Sequence, residues 1–248
     1  MKSVKQTLEQ RVSCRRYERQ PLTDEQIENI YAAIRNTPTS YNGQNYTVID
    51  IDDQSKKERL YEITGQKQIK TCARFMAFCM DFNKICIGAK AKGIDMPEVY
   101  DTADGEMVGF IDASLAMMSA IVSAESMSLG TCPIGYLRTA DPEGVARELG
   151  LPEHVMVVCG LAIGVPREHN DLKPKQPEAL LIHHNGYRTD SLTDDIIAYD
   201  AEVTRYNETR SGGASSNDWI GHMIGYYREM MHYRMLDALR HRGFDLKR

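Results

Sequence analysis

From Glu106 to Leu129 the chain carries apolar or small residues at nearly every position. A helix with no clean polar face must be covered on most sides. Ala113, Ser114, Ala116, Ser119, Ala120, Ser123 and Ala124 keep it slim, which suits close packing. Asp112 and Glu125 interrupt the run and argue against a membrane span. A chain of 248 residues is therefore expected to wrap its remaining elements, or a second subunit, around one central helix that Gly130 closes.

The other elements follow from period and punctuation. Residues 4–10 read as a short helix. Thr23-Asp24-Glu25-Gln26 is a capping box, and Ile27, Ile30, Tyr31 and Ile34 make the apolar stripe of a helix to about Asn36 that Pro38 ends. Asn45 to Asp52 reads as a strand. Ser55-Lys56-Lys57-Glu58 reads as a second capping box, opening a helix to Thr64 that Gly65 closes. Arg74 to Asp81 is almost wholly apolar, as a buried central strand would be. Asn83 to about Lys92 turns helical, and Gly93–Asp101 reads as loop.

Asp141-Pro142 opens a helix to Leu149, and Val155 to Gly164 is another buried strand. Thr193 to Glu208 is helical, and the Gly/Ser-rich stretch Thr209–Asn217 is expected to be mobile. Asp218 caps a last helix running to about His241, whose Tyr and Met stripe suits subunit packing. Strands separated by long helices leave a parallel α/β sheet open as well as an antiparallel one.

The net charge of −5 speaks against a general nucleic-acid surface, so basic clusters must serve something local. The six cysteines form no C-x-x-C pair and sit beside no zinc-like histidine spacing; reduced cytoplasmic thiols are expected. Cys72, Cys79 and Cys159 lie in apolar runs and are expected in the core. The chain has no G-x-S-x-G, H-E-x-x-H or P-loop, and the adjacent His183-His184 pair reads as structural.

Arg11-Val12-Ser13-Cys14-Arg15-Arg16 is the chief local cluster. In an extended segment Arg11, Ser13 and Arg15 share one side. Guanidinium forks and a hydroxyl suit phosphate, although a solvated basic turn has the same composition. Pro38-Thr39-Ser40-Tyr41-Asn42-Gly43-Gln44 is a polar loop rich in donors, and Lys173-Pro174-Lys175 places two cations in a Pro-fixed loop.

Taken in order, these stretches resemble the flavin-dependent nitroreductase family, in its larger branch of oxygen-insensitive NAD(P)H nitroreductases and NAD(P)H:flavin oxidoreductases. The similarity runs from Arg11–Tyr17 through the Pro38–Gln44 loop, Thr64-Gly65-Gln66 and Ser123-Ala124-Glu125-Ser126, then Leu129 to Arg138, to Asp171-Leu172-Lys173-Pro174-Lys175. Departures stand at Pro133 and Tyr136, where the family has Tyr and Gly, and at Lys175, where it has Arg.

The resemblance implies an α+β fold, with a mostly antiparallel sheet wrapped by helices. It also implies one FMN-binding domain over residues 1–248, its helical C-terminal extension from about 193, and an intertwined homodimer. FMN would be held by Arg11, Val12, Ser13, Arg15, Gln66, Pro133, Ile134, Gly135, Lys173 and Lys175. Pro38, Thr39, Ser40 and Asn42 would reach a flavin held mainly by the other subunit. Arg210 would meet NADPH; with Ser215 and Ser216 where a second cation would stand, NADH is also expected to serve. The implied chemistry is ping-pong hydride transfer to a small-molecule oxidant such as a nitroaromatic, a quinone or free flavin, with FMN rather than a side chain carrying the catalysis. A dehalogenase-like reductase with a lid over residues 83–105, a flavin-binding protein without turnover, and a colourless anion-binding module are the competing readings.

Overall fold

The computed structural model describes residues 1–210 and 213–247. Contacts divide the chain into two units, Met1–His169 with Arg234–Arg248, and Asn170–Tyr233.

The first unit begins with α1 (Val4–Gln10), capped by a reciprocal Ser3/Gln6 pair, and α2 (Asp24–Arg35), whose Thr23/Gln26 box is the one expected. After a single 3-10 turn at Ser40–Asn42 come β1 (Tyr46–Ile51), α3 (Gln54–Thr64), α4 (Lys67–Thr71) and β2 (Arg74–Asp81). Then follow α5 (Asn83–Lys92), a 3-10 turn at Val99–Asp101, α6 (Ala103–Ser126), β3 (Gly130–Ile134), α7 (Tyr136–Thr139), α8 (Pro142–Leu149) and β4 (Val155–Gly164). The second unit holds α9 (Glu178–Leu181), α10 (Leu192–Thr209) and α11 (Trp219–Met230); the chain then re-enters the first unit with α12 (Met235–His241).

The four strands among the described residues form one sheet in the order β1-β2-β4-β3, each neighbouring pair antiparallel. Of the arrangements that the strand pattern allowed, the antiparallel one is therefore realised. Both faces of the sheet are covered, which explains why β2 and β4 are nearly continuous apolar runs. Phe75, Ala77 and Cys79 of β2 point to one face, where Leu60, Ile69, Val145 and Leu149 pack. Met76 and Phe78 point to the other, against Ile30 and Ile34 of α2 and Ala116, Ala120 and Ala124 of α6. Met80 continues that second face beneath Ala238, Leu239 and Phe244. Cys72, Cys79 and Cys159 are buried, as their apolar settings require.

Several boundaries differ from expectation. The third helix is capped by Asp53, whose carboxylate accepts the Lys56 N–H at 3.1 Å, and not by Ser55; the charged cap lies just ahead of the expected one and takes the first free donors of the helix. The long helix starts at Ala103 under a Thr102 cap and ends at Ser126. Gly130 does not close it but opens β3. A Cβ at Gly130 would stand 2.7 Å from Cys14 Cβ, so the glycine permits close approach of the 11–17 segment. The expected final helix is two helices, separated at 231–234, because its stripe serves two units. Asp218 does cap the first of them. Part of the expected mobile stretch, Ser211 and Gly212, lies outside the described residues.

By length and hydropathy α6 could cross a bilayer. Here its narrow side, from Gly109 through Ala113 to Ala124, lies against the sheet, and a Cβ at Gly109 would meet Met80 Cβ at 2.8 Å. Its other side leaves Met107, Ile111, Leu115 and Met118 exposed.

Candidate functional site

The 11–17 segment is extended and lies along the edge strand β3. Ser13 bridges Thr131 in parallel, and the Cys14 N–H donates to Thr131 O at 2.8 Å. Further on, Tyr17 bridges Pro166, and its hydroxyl donates to Cys14 O at 2.6 Å. Glu168 Oε1 accepts the Arg15 N–H at 2.6 Å. These bonds hold the backbone of Ser13–Arg15 against Thr131 on one flank and Glu168 on the other.

Arg11 is the informative member. Its Nε lies 3.6 Å from Glu125 Oε1, and its Nε and Nη2 are buried with no hydrogen-bond partner among the described residues. Buried donors of this kind are rare and costly, so an absent acceptor is implied. The donor set fits a phosphate. Glu125 also accepts the Thr131 hydroxyl hydrogen bond. Burial pushes the Glu125 carboxyl above its ordinary range, although the Thr131 bond and the Arg11 charge oppose the rise.

Gln66 and the 133–135 turn stand around the same place. Burial raises the Cys132 thiol, while the Arg15 and Arg11 charges and a hydrogen bond with the Gln68 side chain act to lower it. Gln68 Nε2 donates to Gln66 Oε1 at 2.9 Å, which leaves the Gln66 NH2 as its outward donor. At Gly135 nothing lies within 4 Å of the point a Cβ would occupy, and a flat ring can use that room. The Ile134 side chain is buried beneath the turn and Pro133 is half-buried. The structure therefore brings Arg11, Val12, Ser13, Arg15, Gln66, Pro133, Ile134 and Gly135 to one edge of the sheet.

The Pro38–Gln44 loop is elsewhere. Its Ser40 N–H donates to Asp112 Oδ1 at 3.0 Å, thirteen residues along α6 from Glu125. At a rise of about 1.5 Å per residue that is roughly 20 Å. Pro38, Thr39, Ser40 and Asn42 thus do not join the Arg11 cluster within this chain. Lys173, Lys175 and Arg210 belong to the second unit. Both lysines are exposed, Pro174 O accepts the Tyr199 hydroxyl at 3.4 Å, and Arg210 Nε donates to Gly213 O at 2.7 Å. His183 Nδ1 accepts the Arg188 N–H at 3.0 Å and closes its own loop.

Asp112, Gln68, Glu168 and the Glu125–Thr131 pair carry much of this arrangement and were not among the expected site residues. The available signals were acid within an apolar helix, at Asp112 and Glu125, and the place of Glu125 and Thr131 in the stretches that carry the family resemblance.

The nitroreductase family profile matches residues 8–165, and the profile of the family's C-terminal domain matches residues 173–247. The chain belongs to the nitroreductase family. It is 34% identical to a Cr(VI) reductase of Pseudomonas sp. strain G-1, over 98% of this chain and 100% of that one. It is 32% identical to the FMN reductase [NAD(P)H] of Bacillus subtilis strain 168, over 100% of both. The structure of the B. subtilis oxidoreductase YcnD superposes with a TM-score of 0.95 at 32% identity, again over 100% of both chains.

Proposed function

We propose that this protein is an FMN-dependent NAD(P)H oxidoreductase that reduces small oxidants, nitroaromatics, quinones or free flavin among them. Family membership makes it an oxidoreductase, and relatives named for FMN and for NAD(P)H support the cofactor and the donor. The single observation that carries the reading is the buried Arg11 guanidinium close to Ser13 and Arg15 in sequence, whose Nε and Nη2 make no hydrogen bond among the described residues.

When bound, FMN supplies the hydride acceptance and release that no side chain here offers. The chain's own tasks are to bind and orient. Arg11, Ser13 and Arg15 would hold the phosphate; Lys173 and Lys175 are the second unit's candidate cations. Gln66 donates to the polar edge of the ring, and Pro133–Gly135 presents backbone to its face. Donor and oxidant take turns in one place, which makes the kinetics ping-pong. Arg210 is the cation for a 2′-phosphate. Being single, it leaves NADH usable.

The protein acts as a homodimer. The Met107–Met118 stripe of α6 is apolar and exposed, as a subunit interface would be. A second copy would also bring Pro38, Thr39, Ser40 and Asn42 to the clamp they do not reach in their own subunit. The reading takes residues 1–248 as one FMN-binding chain. Its cysteines are all free, which suits a reducing cytoplasm; neither a membrane nor a nucleic acid enters the reading.

The test is anaerobic addition of NADH or NADPH to the purified yellow protein. Bleaching by either donor, with recovery on adding a nitroaromatic or quinone, is expected. Flavin that neither donor bleaches would leave a binding protein without turnover, and a protein that takes up no FMN would overturn the reading.

A further inference from the structure

Glu125 is a carboxylate with 8% of its side chain exposed, set near the C-terminal end of a helix that carries no other charge after Asp112. An acid in such a place needs partners that hold it there. One is Thr131, fully buried, whose hydroxyl donates to Glu125 Oε1. The same Thr131 offers its carbonyl to Cys14 and bridges Ser13, so helix, edge strand and clamp share one fixed point. The other is Arg11, whose Nε lies 3.6 Å from the same oxygen.

We propose that Glu125 is a positioning residue for the anion site: anchored by Thr131, it holds the Arg11 guanidinium from its Nε side, so that the remainder of the group is fixed in place for a bound phosphate. The inference rests on the FMN reading and extends it to a residue outside the clamp. An arginine side chain has many rotamers, and ordering one on binding weakens affinity. A carboxylate on a rigid helix removes that penalty in advance. Its negative charge also opposes the incoming anion. Positioning prevails because a phosphate would bond the guanidinium directly, whereas Glu125 stands 3.6 Å from Nε.

The experiment compares FMN with riboflavin, which lacks the phosphate, by fluorescence titration of flavin-stripped full-length protein. Glu125→Gln retains side-chain volume and an acceptor for Thr131. It is expected to weaken FMN binding about 10- to 30-fold and to leave riboflavin affinity within about 2-fold. In an Arg11→Ala background the same substitution is expected to change FMN affinity by less than about 2-fold, since no guanidinium remains to hold. Equal weakening of both flavins would mean a merely structural role and would overturn the proposal. So would tighter FMN binding by Glu125→Gln, or fully additive losses with Arg11→Ala. Thr131→Val supplies a second route if Glu125→Gln fails to fold: a loss confined to FMN supports the proposal, and equal or no losses sink it. Failure of the wild-type protein to bind FMN at all would instead overturn the function proposed above.

Discussion

Asp112 Oδ2 accepts both nitrogens of Asn45, the backbone N–H at 3.0 Å and the side-chain amide at 3.2 Å. Its other oxygen takes the Ser40 N–H, so one fully buried carboxylate on α6 ties both ends of a loop. Within that loop Tyr41, Asn42 and Gln44 all have positive φ. Such conformations are unfavourable for residues with a Cβ, and they persist where surrounding bonds over-determine them.

Asp112→Ala removes the acceptor for all three donors. It is expected to destabilise the protein by about 2–4 kcal/mol, read from urea unfolding, through orphaned backbone N–H groups. Asp112→Asn, which still accepts through one oxygen, should lose less.

Arg11→Lys keeps the charge but not the planar fork. FMN affinity should fall about 10-fold while riboflavin affinity holds, because a point charge meets only part of the phosphate's acceptor geometry. Equal losses for the two flavins in parallel titrations would place Arg11 outside the phosphate site.

Gln68→Leu frees the Gln66 amide to turn. With its Oε1 no longer engaged, Gln66 would lose its fixed donor direction. The expected result is a shift in the flavin absorption band and in its midpoint potential, with FMN affinity changed by less than about 3-fold. An unaltered spectrum and potential would show that Gln66 does not touch the ring.

Ile111→Glu places charge in the exposed apolar stripe of α6, where Ile111 is 52% exposed in the single subunit. If that stripe is the subunit interface, the variant should sediment as a monomer and hold FMN poorly. A dimer of unchanged sedimentation coefficient would locate the interface elsewhere.

The C-terminal tail supplies a pH dependence. Asp101 accepts the Lys247 ammonium at 2.7 Å and the Asp245 N–H at 2.9 Å. Burial alone would raise its carboxyl, but these two bonds outweigh burial and hold it below the usual carboxylate range. A folded value below the unfolded one contributes stability above about pH 4, and that stability is lost as pH falls through the folded value. The urea midpoint should therefore drop on going from pH 5 to pH 3. Lys247→Ala, having lost most of the effect already, should show a shallower drop.

Much of the fold was legible because it is written locally. The Thr23 capping box, the apolar run of β2, the Asp141-Pro142 start of α8 and the ten buried positions of β4 each identify themselves through period or cap chemistry. Where expectation failed, at Ser55, Gly130 and the break at 231–234, a neighbour distant in sequence or a stronger cap decided the boundary. Gly130 looked like a helix stop because the nearness of Cys14 is invisible in the chain's order.

The candidate site divides the same way. Alternation alone put Arg11, Ser13 and Arg15 on one side of an extended strand, and charge pattern alone suggested an anion. Nothing local could say that Glu125 would meet Arg11, that Gln68 would aim Gln66, or that Asp112 would hold the 40–45 loop far from the clamp. Those pairings join residues on different elements, and they arise only when the helices close over the sheet. The sequence by itself determined the elements and the chemistry available to them, since backbone propensity and side-chain identity act at short range. Tertiary structure alone decided which buried charge would face which, because the desolvation that makes such pairs matter exists only after packing is complete.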